Sequence, residues 1–200
     1  MCESPPRAHV LCPLTSSEGV LEAAGMARFD ASNAEVLVFS YKDGLLAKMA
    51  HDLKIRVESF SIEVDDATRA VEARFDPKSL RVVCARKDGR DDPGTLGSGD
   101  IQKIHANIEK DVLEVKKYPE ITFRSRDVVE TDRGYRLSGD LTLHGKTRPI
   151  VAEVLRDGES YRTEVRLQQT DFGIKPFTAA LGALKVKSEV LVTVATERRG

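Results

Sequence analysis

Apolar and polar side chains alternate with a period of two through much of this 200-residue chain, most clearly from Tyr135 to Val154. Tyr135, Leu137, Leu141 and Leu143 share one parity, and Arg136, Ser138, Asp140 and Thr142 the other, as in a strand with one buried face. The run stops at His144-Gly145-Lys146 and resumes through Arg148 to Val154. This predicts a β-hairpin whose turn uses the backbone freedom of Gly145. A strand of this kind needs neighbours, and the rest of the sequence supplies them.

From Glu35, Val36, Val38 and Ser40 oppose Leu37, Phe39 and Tyr41, a strand whose inward parity the local pattern leaves open. Leu53, Ile55 and Val57 are apolar on odd positions, whereas Phe60, Ile62 and Val64 are apolar on even ones. A slip of one residue would turn the apolar face outward, so a β-bulge or sharp bend is predicted near Glu58 to Phe60. Val71, Ala73 and Phe75 alternate up to Asp76-Pro77, and Leu80 to Cys84 continue or pair with them. Ala85 to Gly99, rich in charge and glycine, reads as a mobile surface loop. Asp100 then caps a helix carrying Ile101, Ile104, Ile108 and Val112, expected to lie on a barrel or across one end.

Further strands are predicted at Ile121 and Phe123, at Tyr161 to Leu167, and at Val186 to Val194. Between the last two, Phe172 to Leu184 is apolar and broken by glycine, a segment suited to cover or line the mouth of a cavity. The fold class is all-β, with about eight or nine strands of ordinary length. Residues 1–19 read as a loose lead-in, and 20–200 as one domain.

Composition narrows the partners. With 31 basic against 32 acidic residues the chain is nearly neutral, which argues against binding nucleic acid or a membrane surface through bulk charge. No apolar run approaches the roughly 20 residues that span a bilayer, so stable membrane insertion is not expected. The first residues lack the basic start and the apolar run of about 7–15 residues that a secretory signal needs. Cys2, Cys12 and Cys84 show no CxxC spacing, which fits a reducing compartment and a cytoplasmic location. Trp is absent and aromatic residues make up 6%. That favours an aliphatic wall for a flexible apolar chain over stacking surfaces for a flavin or nucleotide.

Candidate chemistry is sparse. His51-Asp52 could form an imidazole oriented by a carboxylate, but neighbours in a strand point to opposite faces. His51 is expected to be structural or to touch a ligand head group, and His144 to be structural. His9, His51, His105 and His144 share no metal spacing, and no metal site is expected. There is no GxSxG, no P-loop and no GxGxxG opening a helix.

Three motifs occur in order: VLEVKKYPEITFRS at Val112 to Ser125, SGDLTLHGKTRPI at Ser138 to Ile150, and TDFGIKPF at Thr170 to Phe177. Together they resemble the YceI-like family of lipid-binding proteins, over about Phe29 to Thr196. The resemblance implies an eight-stranded antiparallel lipocalin-like barrel, with one short helix and an apolar covering segment. It also implies a hydrophobic tunnel holding a polyisoprenoid or other long-chain amphiphile. This chain departs from the family at Glu58-Ser59, where a glycine often stands, at Gln169, where an arginine often stands, and in lacking an evident signal peptide. Because eight strands can equally be filled by side chains, the tunnel rests on the resemblance.

The ligand contacts expected on the inner walls are Phe39, Tyr41, His51, Leu53, Ile55, Phe75, Phe123 and Leu141. From the covering segment come Phe172, Lys175, Phe177 and Leu181, with Lys175 placed to meet an anionic head group. The expected function is non-catalytic carriage or buffering of a polyisoprenoid, quinone-like or fatty-acid derivative, with no cofactor and a possible homodimer. The rival readings are an enzyme using His51 as base in the same cavity, and an interaction or stress protein with a filled core.

Overall fold

In the computed structural model, residues 25–44, 51–179, 181 and 183–196 are described. The lead-in expected at 1–19 lies outside them, as do Ala180 and Gly182 of the covering segment. The chain is mostly β. Before the helix come β1 (Met26–Phe29), β2 (Ala34–Asp43), β3 (Asp52–Val57), β4 (Phe60–Asp65), β5 (Val71–Phe75), β6 (Leu80–Lys87) and β7 (Arg90–Asp92). After it come β8 (Ile121–Thr131), β9 (Gly134–Leu143), β10 (Lys146–Asp157), β11 (Ser160–Gln168), β12 (Thr178–Ala179) and β13 (Leu184–Thr196). The sheet runs in the order β1-β4-β5-β8-β9-β10-β11-β13-β2-β3-β6-β7, with β12 pairing β13 beside it.

The expected eight-stranded barrel is therefore corrected to a strongly curled antiparallel sheet of twelve strands in series. The added strands arise because three long runs each break in two and the halves take different partners. The breaks fall at Asp30–Asn33, at Glu58-Ser59 and at Asp76–Ser79. β4 pairs β1 and β5, while β3 pairs β2 and β6. The bend expected from the phase slip stands at Glu58-Ser59. It is pinned to the neighbouring break by hydrogen bonds from Glu58 N to Ser79 O (3.1 Å), Ser59 N to Ser79 Oγ (3.0 Å) and Asp76 N to Ser59 O (3.0 Å). Pro77 opens the short 3-10 turn of the Asp76–Ser79 break, where a missing N–H costs nothing, and Asp76 caps it by accepting from Lys78 N at 2.8 Å.

The hairpin of β9 and β10 pairs in unbroken register from Gly134 with Leu155 to Leu143 with Lys146. Its turn has φ of 52° at His144 and 70° at Gly145, the conformation that matches the twist of the flanking strands. A Cβ on Gly145 would come within 2.6 Å of the Tyr118 ring. His144 packs against that ring, tilted by 49° with centroids 4.1 Å apart, and lies 2.9 Å from Glu114 Oε2, a structural position.

Two local expectations are corrected. Ala85 to Gly99 is not loop throughout: Ala85–Lys87 completes β6 and pairs with β7 across the turn at Asp88-Gly89. The helix begins earlier than Asp100. α1 (Ser98–Asn107) is capped at Gly97, whose N–H donates to Asp100 Oδ2 at 3.4 Å, and a π-turn extends it over Ile108–Val112. His105 ties α1 to the sheet, its Nε2 accepting from Val82 N at 2.9 Å. Burial, with the charge of Arg81 second, holds the His105 pKa below its usual 6.5, which suits an imidazole that accepts at Nε2.

The core divides into two clusters. One gathers Ala34, Val36, Val57 and Phe60 around the strand breaks, with Phe75 and Val192 against it. The other gathers Leu141, Phe172 and Ile174, with Ile121, Phe123 and Leu167 against it.

Candidate ligand-binding site

Two cavities lie inside the curl of the sheet. The first, of about 340 Å³, is walled by the cavity-facing residues of β2, β3 and β13 and by the helix. The second, of about 300 Å³, is walled by β1, β4, β5 and β8–β11, with the distal part of β13. In β2 the wall residues are Val36, Val38, Ser40 and Lys42, all of even number, and along β3 they are Leu53, Ile55 and Val57, with His51 just before the strand, all odd. The two rows show how each strand turns its apolar parity inward.

Both linings are predominantly apolar, mostly aliphatic, with Phe75 and Phe177 in the first and Phe29, Phe123, Tyr135 and Tyr161 in the second. In the first, Lys42, His51 and Lys185 stand with Val186 at the ends of β2, β3 and β13. In the second, Asp66, Arg69 and Arg162 stand at the other ends of their strands. Phe75, Leu141, Leu167 and Val192 contribute to both linings. Thr163 Oγ1, buried in the second wall, has no hydrogen-bond partner among the described residues.

Of the residues singled out in the sequence, His51, Leu53, Ile55 and Phe177 line the first chamber, Phe123 the second, and Phe75 and Leu141 both. The others are placed elsewhere. Phe39 and Tyr41 have the parity opposite to the wall of β2, and the Arg86 guanidinium covers the Phe39 ring at 4.7 Å. Phe172 is 2% exposed and locked in the second core cluster rather than open to a cavity. Lys175 is exposed outside both linings, and Leu181 is wholly exposed. From the segment expected to cover the mouth, Ile174 and Phe177 line the first chamber.

His51 and Asp52 do not form a pair. Asp52 Oδ1 accepts from Lys42 N at 2.8 Å, and no hydrogen bond joins it to His51 among the described residues. The helix contribution of Ile104, Ile108, Val112 and Leu113 was missed as wall, although the spacing of the first three already gave a single apolar stripe. Gly139 was missed as well. A Cβ there would stand 2.6 Å from the Phe123 ring and 2.5 Å from Arg124 O, so the ring occupies the space beside the glycine of the adjacent strand. A glycine inside an alternating strand is the available signal for such a close approach.

The outer face carries the charge. Cross-strand pairs such as Arg136 with Glu153 (2.6 Å), Arg166 with Glu189 (2.9 Å) and Arg56 with Glu35 (3.0 Å) are solvent-exposed, each worth about 0–1 kcal/mol. Asp91 is held below the usual carboxylate range by the hydrogen bond from Lys54, with the charges of Lys54 and Arg86 adding to it. Among the described residues no group of three His, Cys, Asp or Glu could hold a metal ion, and no helix is long and apolar enough to cross a membrane. Cys84 is a buried free thiol, while Cys2 and Cys12 lie outside the described residues.

The fold is shared with solved structures. A polyisoprenoid binding domain from Saccharophagus degradans, implicated in plant cell wall breakdown, aligns with a TM-score of 0.54 at 13% identity, over 88% of this chain and 99% of that one. BcnA of Burkholderia cenocepacia aligns with a TM-score of 0.53 at 17% identity, over 84% and 98%. In sequence, a UPF0312 protein of Vibrio cholerae is 37% identical over 92 residues, 38% of this chain and 49% of its own length. Another from Pseudomonas putida is 37% identical over 96 residues, 40% and 50%. The chain thus spans about half the length of the curated relatives it matches. Residues 28–198, which hold both chambers almost entirely, match the YceI-like domain, and the chain belongs to the YceI-like family.

Proposed function

We propose that this protein binds a long-chain amphiphile, a polyisoprenoid, quinone-like or fatty-acid derivative, in the two chambers, and carries or buffers it without converting it. The observation that carries this reading is the distribution of polarity: walls that are mostly aliphatic with a few aromatic rings, and charged side chains only at the outer ends. Each methylene transferred from water to such a wall contributes about 0.8 kcal/mol, so a long chain is the guest these surfaces favour. At the outer end of the first chamber Lys42, His51 and Lys185 belong to the lining, whereas Asp43 and Asp52 of the same strands do not. That end suits the polar terminus of an amphiphile. The polyisoprenoid binding described for the Saccharophagus degradans domain supports the same class of ligand. Binding is favoured over base catalysis because the Asp52 carboxylate serves a backbone amide and does not orient His51.

Native mass spectrometry of protein purified without detergent tests this. The expected result is a bound lipid mass, or stoichiometric uptake of added fatty acid or isoprenoid alcohol. Protein that arrives empty and takes up neither would overturn the reading.

A further inference from the structure

The two chambers meet at a single layer of side chains, the Phe75, Leu141, Leu167 and Val192 shared by both linings. Phe75 and Val192 pack with one core cluster, Leu141 and Leu167 with the other. The layer is thus the place where the two halves of the core face each other. None of the four carries a polar atom, so a chain advancing from the first chamber meets no desolvation barrier there, only bulk.

The four are not equally fixed. Leu141 is 6% exposed, and the Phe75 ring is braced by Phe60 with ring centroids 6.1 Å apart. Leu167 and Val192 are half-buried and sit on the adjacent strands β11 and β13, where Leu167 pairs with Val190. Each has an open chamber on both sides into which to turn.

We propose that these four side chains form a passable constriction that selects ligands by chain length, with Leu167 and Val192 the pair that parts. This rests on the binding function proposed above. Forcing both side chains off their rotamers lowers affinity about 5- to 160-fold, once. Each methylene buried beyond the layer raises it about fourfold. About one to four methylenes past the layer therefore offset the displacement of the pair, and every further one is gain. A chain that ends at the layer receives none of this, so the protein prefers chains long enough to occupy both chambers.

The test is a homologous series of saturated fatty acids, from octanoate to docosanoate, each used below its critical micelle concentration to displace a fluorescent probe from the full chain. In the unaltered protein affinity is expected to rise with length, pause over an interval, then rise again. Leu167→Ala and Val192→Ala should each remove the pause, and Leu167→Phe should abolish the second rise while leaving the first in place. Thermal melts confirm that each variant is folded, and Leu167→Met, close in volume, should keep the pause. A rise that stops for good at the pause overturns the proposal, because the layer is then a stop. An unbroken rise that Leu167→Phe does not alter overturns it too. Failure of every acid to bind overturns instead the binding function itself, so the two failures are distinguishable.

Discussion

Leu141→Lys places a charge where the bore is farthest from its polar ends. Leu141 is 6% exposed, packs with Phe172 and Ile174, and faces both chambers. Truncating a buried leucine usually costs 2–5 kcal/mol. Here the cavities on either side mean that part of the side chain already lacks partners, and the lysine stem refills some of the space, so about 2 kcal/mol is the apt figure for lost packing. An unpaired ammonium adds a penalty on the order of 1–3 kcal/mol as the group shifts its pKa or draws in water. The sum, about 3–5 kcal/mol, is a large fraction of a typical domain's stability. Val151→Lys is the matched control: on the adjacent strand β10, Val151 is 57% exposed, and a surface change of this kind stays within about 0.5 kcal/mol. Urea titrations followed by circular dichroism give both values. In whatever fraction of Leu141→Lys remains folded, fatty-acid uptake should be lost, because the chain would have to bury that charge. A Leu141→Lys protein as stable as Val151→Lys, with uptake unchanged, would show that position 141 does not face the bore.

Two further perturbations probe the supports of the site. Gly139→Ala should destabilise by about 1–3 kcal/mol and weaken fatty-acid binding, because the new methyl drives the Phe123 ring into the second chamber and meets Arg124 O of the neighbouring strand; equal stability and affinity would mean that the ring has free space to yield. His105 links α1 to the sheet through Val82 N, and its pKa is lowered in the folded protein. The unfolded chain therefore takes up the proton first. Stability should be level above about pH 6.5 and fall as pH drops through the lower folded-state value. In His105→Gln, whose side-chain carbonyl can accept the same N–H, the fall should be shallower, and identical slopes in urea titrations across that range would refute the role.

What the sequence made legible follows from the range of the interactions involved. The hairpin of β9 and β10 was readable because its pattern and its turn are local: ten register pairs follow from one alternation and one glycine. The bend at Glu58-Ser59 was readable for the same reason, since a slip of phase is a property of consecutive residues. Phe39 and Tyr41 were misplaced because the parity of β2 is not local. Leu37 and Val36 are both buried, and which of them faces the bore depends on how β2 sits between β3 and β13. The segment from Phe172 onward was expected to cover a cavity mouth because it is apolar, yet its Phe172 and Ile174 serve as core and Leu181 stands in solvent. Apolarity marks residues that gain from burial and does not say against what.

The count of strands and the shape of the site have one origin. The slip at Glu58-Ser59, the proline turn at Asp76–Ser79 and the turn at Asp30–Asn33 interrupt three successive strand runs, and hydrogen bonds tie the first two of these together. On one side of the breaks β2, β3 and β6 continue with β13. On the other, β1, β4 and β5 continue with β8. The first group supplies walls of the first chamber and the second group walls of the second. A slip of one residue keeps the apolar parity facing inward on both sides of each bend, which is what lets a single chain line two chambers without an apolar face turned to water. Phe75, the last residue of β5 before its break, belongs to the layer shared by both linings. Leu141, Leu167 and Val192 meet it from the unbroken strands β9, β11 and β13. Removing the slip by deleting Ser59 would not merge the chambers; it would turn Phe60, Ile62 and Val64 outward and dismantle the wall of the second.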